Sequence, residues 1–269
     1  MSIEPIITEE QIDHYWKLGY AVLAGFFSDA ELEPLRKRFR DIVDERVPPA
    51  NDMLVMKDVM VAKGAVKPST RAEAIAKVQD FHNDEVLYGR YVKHRRLLDL
   101  VEHFCGPDIK VVHNMLINKP PNVDGRHPLH QDLIYFLFRP ADRIVATWTA
   151  LEPTTRENGC LVVVPGSHTR GELLEHGNPA WKHVNFAYFG AKGVSGDTSR
   201  LHLEMGPGDT AIFHPLLLHG SGRNRSSGFR RAISAHYASA ACTFIEGGEN
   251  MASMRHYDLV RGRQHPGCI

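Results

Sequence analysis

A chain of 269 residues with 43% apolar content can bury one substantial core, and barrels or sandwiches of this length commonly stay undivided. Its 32 basic and 32 acidic side chains cancel, which speaks against a nucleic-acid binder. Four scattered cysteines, Cys105, Cys160, Cys242 and Cys268, form no Cys-x-x-Cys pair, so neither a zinc knuckle nor a disulfide scaffold is expected. Cys160 lies in a Leu/Val run, the setting of a buried reduced thiol.

Met1 to Pro5 offers no basic or apolar leader region, no apolar run reaches the length of a membrane span, and Gly267-Cys268-Ile269 is not a Ser-Lys-Leu type address. A cytoplasmic chain with no membrane span is therefore the expectation. Thr8-x-x-Gln11 reads as a capping box opening a short helix that ends at Gly19, and Tyr20 to Leu23 reads as a strand. Ser28-x-x-Glu31 opens a second helix, with Leu32, Leu35, Phe39, Ile42 and Val43 on one face; Pro34 predicts a late start or a kink. An amphipathic stretch from Asp84 to Phe104, expected as two helices broken near Arg95, is stopped by Gly106-Pro107.

Strands are predicted over Ile109 to Asn118, His130 to Phe138, Ile144 to Leu151, Gly159 to Pro165, Arg200 to Glu204, Asp209 to Phe213 and Arg231 to Ala238. Long loops interrupt them at Pro120 to Arg126 and Thr169 to Ser199. The second carries Trp181, Phe186, Tyr188 and Phe189, and is expected to act as a substrate-facing lid. Helices crowd the first hundred residues and strands follow, which is the layout of a single α+β domain over 1–269, with a helical buttress mainly in 8–106 and an all-β core mainly in 109–240.

The most informative motif is His130-Gln131-Asp132, with His219 and Arg230 downstream. In an extended strand side chains alternate, so His130 and Asp132 share a side and Gln131 faces away. Two imidazoles and a carboxylate can hold one face of a ferrous ion and leave the other open for a co-substrate and O2. Arg230 offers a planar fork for a carboxylate. Among 16 histidines a bare His-x-Asp is a weak signal, and the neighbourhood strengthens it. A glycine-rich turn, Gly206 to Thr210, leads into the apolar run that ends at His219. Arg230 and Arg231 then open a strand expected to return antiparallel to that run as a hairpin, bringing an arginine to the depth of the metal.

Met115 to Pro121, Arg126 to Asp132, Asn158 to Gly166, Phe213 to Ser221 and Gly228 to Tyr237 closely resemble the phytanoyl-CoA dioxygenase family of Fe(II)/2-oxoglutarate oxygenases. The resemblance runs from about Gln11 to about Ala240 and is loose beyond Met251. It implies a double-stranded β-helix, or jelly roll. It also implies His130, Asp132 and His219 as iron ligands, and Arg230 as partner of the distal carboxylate of 2-oxoglutarate. Lys77, Met115, Gln131, Trp148 and Ser221 would line the co-substrate pocket. Fe(II), 2-oxoglutarate and O2 follow as cofactor and co-substrates, with ascorbate as a stimulant and a fatty acyl-CoA as substrate. Asp132 favours hydroxylation, because related halogenases lack that carboxylate. Family members in animals are peroxisomal.

Plainer roles stand beside these. Trp148 and Met115 suit a core, Lys77 a surface, Ser221 a turn cap, and His127 and His214 satisfied structural positions. Arg36-Lys37-Arg38 and His94-Arg95-Arg96 read as solvated surface, whereas the Arg223-Asn224-Arg225 loop suits the phosphates of a CoA ester. The competing functions are hydroxylation of a small metabolite or natural-product intermediate, and a non-catalytic iron/2-oxoglutarate sensor.

Overall fold

The computed structural model of the chain describes residues 5–121, 123–181, 188–248 and 257–269. Helix α1 (Glu9–Leu18) leads to β1 (Tyr20–Leu23), α2 (Asp29–Val43), β2 (Leu54–Lys57), the one-turn helices α3 (Val59–Ala62) and α4 (Arg71–Ala74), and β3 (Ile75–Gln79). A π-helical turn, Tyr88–Val92, precedes α5 (Arg95–Cys105). There follow β4 (Ile109–Lys119), β5 (His127–His130), β6 (Phe138–Arg139), β7 (Ile144–Ala150), β8 (Leu161–Val163), β9 (His176–Gly177) and β10 (Gly190–Ala191). The chain continues through β11 (Leu201–Leu203), β12 (Thr210–Phe213), β13 (His219–Ser221), β14 (Arg230–Ser239), β15 (Thr243–Phe244) and β16 (Asp258–Arg261).

Two antiparallel sheets form the core. The large one is ordered β1-β12-β7-β14-β4-β3-β2, with β16 also paired to β4, and the small one β11-β8-β13-β5. Trp148, Ala150, Leu161, Val163, Leu203 and Phe213 meet between them in one buried cluster, so the sheets face each other as an open jelly roll. Strand alternation decides which side chain faces which layer. On β14, Ile233, Ala235 and Tyr237 join the cluster that buries Leu32, Leu35 and Phe39 of α2 and Leu97, Leu100 and Phe104 of α5. Arg230, Ser234 and His236 instead point into the space between the sheets. The helices thus cover the outer face of the large sheet, and each fully buried Leu or Phe there contributes about 1.5–3 kcal/mol.

Both capping boxes form, at Thr8 and at Ser28. Pro34 neither delays nor breaks α2, which runs through it from Asp29. Near the break expected at Arg95, α5 begins, and the first half of that stretch contains a π turn rather than an α-helix. Strands β2 and β3 were not expected; they extend the large sheet beyond β4. The strand expected over His130 to Phe138 is interrupted, because a 3-10 turn occupies Asp132–Tyr135.

The expected hairpin between the His219 run and the Arg230 run does not form. β12 ends at Phe213, residues 214–218 turn tightly with the Leu217 amide donating to the His214 carbonyl, and the chain crosses to the small sheet. There β13 pairs with β5 and β8, while β14 returns to the large sheet between β4 and β7. Phe186, and residues 251–256 of the tail, lie outside the described residues. Among the described residues no helix is long and apolar enough to cross a membrane.

Candidate active site

His130 ends β5 and His219 opens β13, directly opposite each other across the small sheet. Asp132 is the first residue of the 3-10 turn. The three side chains are buried, and one donor atom from each lies within 4.8 Å of the others. Asp132 Oδ1 is 3.3 Å from His130 Nε2 and 3.5 Å from His219 Nε2. The chain brings them this close partly because β13 approaches β5 at Gly220, where a Cβ atom would meet the His127 carbonyl oxygen at 2.8 Å and that of Pro128 at 2.9 Å.

Each donor is oriented by its other polar atom. His130 Nδ1 donates to the Pro128 carbonyl at 2.9 Å and His219 Nδ1 to the Leu217 carbonyl at 3.0 Å, which leaves both Nε2 lone pairs facing the cluster. His236 Nε2 holds Asp132 Oδ2 at 2.8 Å, leaving Oδ1 for an ion. Burial alone would raise the Asp132 carboxyl, but His219, His236 and the hydrogen bonds outweigh it and keep it well below the usual carboxylate range. Burial pushes the His219 imidazole down to about 4, so it stays neutral. Two imidazoles and an ionised carboxylate on one side of a cavity fit a divalent ion with an open face, and iron among such ions.

The cavity beside this cluster is lined by Lys77, Met115, Lys119, Trp148, Ser221 and Arg230, among others. Arg230 is 1% exposed, lies 5.5 Å from the Trp148 ring centre, and leaves its Nε and Nη1 without hydrogen-bond partners. Burial holds its guanidinium down to about 10. A buried, unpaired guanidinium is costly unless an anion meets it. Lys77 lies 5.8 Å from the Tyr188 ring centre, and burial, opposed by Asp80, brings its ammonium down to about 8.

Of the residues expected here, the structure brings together His130, Asp132, His219, Arg230, Lys77, Met115, Trp148 and Ser221. Gln131 is not among the residues that line the cavity. Its amide nitrogen donates to the Glu172 and Leu216 carbonyls and its amide oxygen accepts from the Leu174 amide, so it tethers the loop outside. His127 stacks between His130 and Tyr188, and His214, bonded to Asp142 at 3.0 Å, lies elsewhere. From the 169–199 loop, Tyr188 reaches the cavity and Trp181 lies under Arg126 at 4.2 Å. His236 and Lys119 escaped the sequence reading, although strand parity on β14 and β4 aligns them with Arg230 and Met115.

A family model described as phytanoyl-CoA dioxygenase matches residues 15–232. The chain is 48% identical over 240 residues to a probable phytanoyl-CoA dioxygenase of Caenorhabditis elegans, covering 87% of this chain and 76% of that one. It is 46% identical over 245 residues to the peroxisomal phytanoyl-CoA dioxygenase of Homo sapiens, covering 90% and 71%. Among solved structures, the epimerase SnoN in complex with Fe3+, alpha ketoglutarate and nogalamycin RO superposes with a TM-score of 0.65 at 20% identity, over 88% of this chain and 85% of that one, a likeness of fold. By sequence match along most of its length, the chain belongs to the phytanoyl-CoA dioxygenase family.

Proposed function

We propose that this chain is an Fe(II)- and 2-oxoglutarate-dependent dioxygenase that hydroxylates a fatty acyl-CoA such as phytanoyl-CoA next to its carbonyl, releasing succinate and CO2. The observation that carries the reading is the pairing, in one cavity, of the His130–Asp132–His219 donor cluster with the unpartnered guanidinium of Arg230. The names of the relatives supply the acyl-CoA substrate, and identities of 46–48% favour it over a small metabolite or natural-product intermediate.

In this reading His130, Asp132 and His219 hold the iron, and Arg230 takes the distal carboxylate of 2-oxoglutarate. When bound, iron and the keto acid supply the oxidising chemistry: one oxygen atom of O2 ends in succinate and the other in the new hydroxyl group, with loss of CO2. The protein's part is aim and exclusion of water. His236 keeps one carboxylate oxygen of Asp132 occupied so that the other faces the ion, and the walls of Trp148, Phe136 and Tyr188 shield the cavity. Of the basic loop, Arg223 is already paired with Asp124 at 2.9 Å, which leaves Arg225 as the freer candidate for CoA phosphates. Ascorbate is a stimulant to be tested, and the peroxisome, named for the human relative, is the compartment to test first.

A panel of acyl-CoA esters, free acids and small metabolites is assayed for succinate formation with Fe(II) present and absent. The expected result is iron-dependent succinate and a 2-hydroxyacyl-CoA product, both lost in Asp132→Ala. Turnover confined to non-thioester metabolites would overturn the substrate, and unchanged turnover in Asp132→Ala would overturn the iron site.

A further inference from the structure

Lys119 is the last residue of β4, and its Cα lies directly opposite that of Arg230 on β14. It is 3% exposed and lines the same cavity. Two cationic side chains thus stand next to each other between the sheets, and neither takes part in any of the ion pairs formed among the described residues. The acidic group nearest in the chain, Asp124, is engaged elsewhere by Arg126 at 2.7 Å and Arg223 at 2.9 Å. Burial first, and the charge of Arg230 second, keep the Lys119 ammonium well below its ordinary range. Neighbouring like charges in a poorly solvated space repel, and an anion between them turns both terms favourable.

The hydrogen bonds of Lys119 point the same way. Nζ donates to Ser221 Oγ at 2.7 Å and to the Gly222 carbonyl, which uses two of the three ammonium hydrogens. Because Ser221 Oγ accepts from Lys119, its hydroxyl hydrogen is left to seek another acceptor, and Ser221 also lines the cavity. Pinning the Gly222 loop requires only a neutral donor. It does not account for a second positive charge beside Arg230, where an apolar or amide side chain would be less costly.

We propose that Lys119 is a second cationic anchor for the distal carboxylate of 2-oxoglutarate, acting through its third N–H and through the Ser221 hydroxyl that it orients. The assignment rests on the co-substrate reading given above. It extends the anion site from one fork to a three-donor cradle made by β14, β4 and β13, and it gives a reason for selecting a dicarboxylic keto acid over a monocarboxylic one.

The test measures binding, not turnover. The full chain loaded with Mn(II), a redox-quiet stand-in for iron, is titrated by calorimetry with 2-oxoglutarate and with 2-oxobutyrate, which lacks the distal carboxylate. Lys119→Gln, which keeps a donor for the loop without the charge, and Lys119→Met are compared with the parent. Both variants are expected to lose about tenfold or more in affinity for 2-oxoglutarate while binding 2-oxobutyrate as the parent does. Equal loss for both acids would make Lys119 a structural brace, and no loss for either would remove it from the site; each overturns the proposal. If the parent itself fails to prefer 2-oxoglutarate, the co-substrate reading falls, and the anchor with it. If Lys119→Met does not fold, Lys119→Gln alone decides.

Discussion

The two ends of the cavity are built in opposite ways. At the small-sheet end, every candidate donor is braced from behind: His130 by the Pro128 carbonyl, His219 by the Leu217 carbonyl, Asp132 by His236. At the large-sheet end, Arg230 leaves Nε and Nη1 unpartnered, and Ser234 on the same strand leaves its hydroxyl so. The donor end is thus organised by the protein's own hydrogen bonds, whereas the other end keeps buried polar groups without partners, as the proposed anion site requires.

The sharpest way to break this contrast is at the donor end. His219→Ala should abolish both iron retention and succinate formation, read by metal analysis and product assay; retention of iron would remove His219 from the ligand set. Replacing the brace rather than the donor should be milder: His236→Leu is expected to weaken iron binding by about 10–100-fold with the fold intact, measured by chelator competition. At the other end, Arg230→Met should raise the 2-oxoglutarate requirement about 10–100-fold, the equivalent of losing an interaction of about 1.5–3 kcal/mol, without changing iron content. The same variant should leave the melting temperature of the ligand-free protein no lower than the parent's, because an uncompensated buried charge has gone. A marked fall would mean that Arg230 already has a structural partner. The smallest effect belongs to Ser234→Ala, which removes a buried hydroxyl without a hydrogen-bond partner and should leave stability no lower than the parent's, measured by denaturant melts.

Much of this contrast is legible in the amino-acid sequence. Capping boxes at Thr8 and Ser28 work through neighbours three residues apart, so local sequence suffices. The apolar runs that became β4, β7 and β14 are long and buried, and their ends fall within a residue or so of expectation. β2 was hidden because Leu54 and Val55 are exposed on an edge strand, so no inward alternation marks it. The turn at Asp132 was hidden because its register is set by a long-range bond, from the Leu133 amide to the Pro215 carbonyl. The hairpin error has the same origin: proximity along the chain says nothing about residues 214–218 changing sheets. His236 and Lys119 were within reach, since counting by twos from Arg230 and from Met115 lands on them. For Gln131 alternation and resemblance point opposite ways, and its side chain bonds to the Glu172 and Leu216 carbonyls.

That change of sheet at residues 214–218 has a mechanical side. His219 belongs to one layer and Arg230 to the other, so under the proposed function a diacid held by the ion at its keto end and by the arginine at its tail would be a removable crosspiece between two halves of the molecule. Filling the cavity should therefore stiffen the whole sandwich, and slower amide exchange along β13 and β14 would register the bound diacid even where no oxygen is present to react.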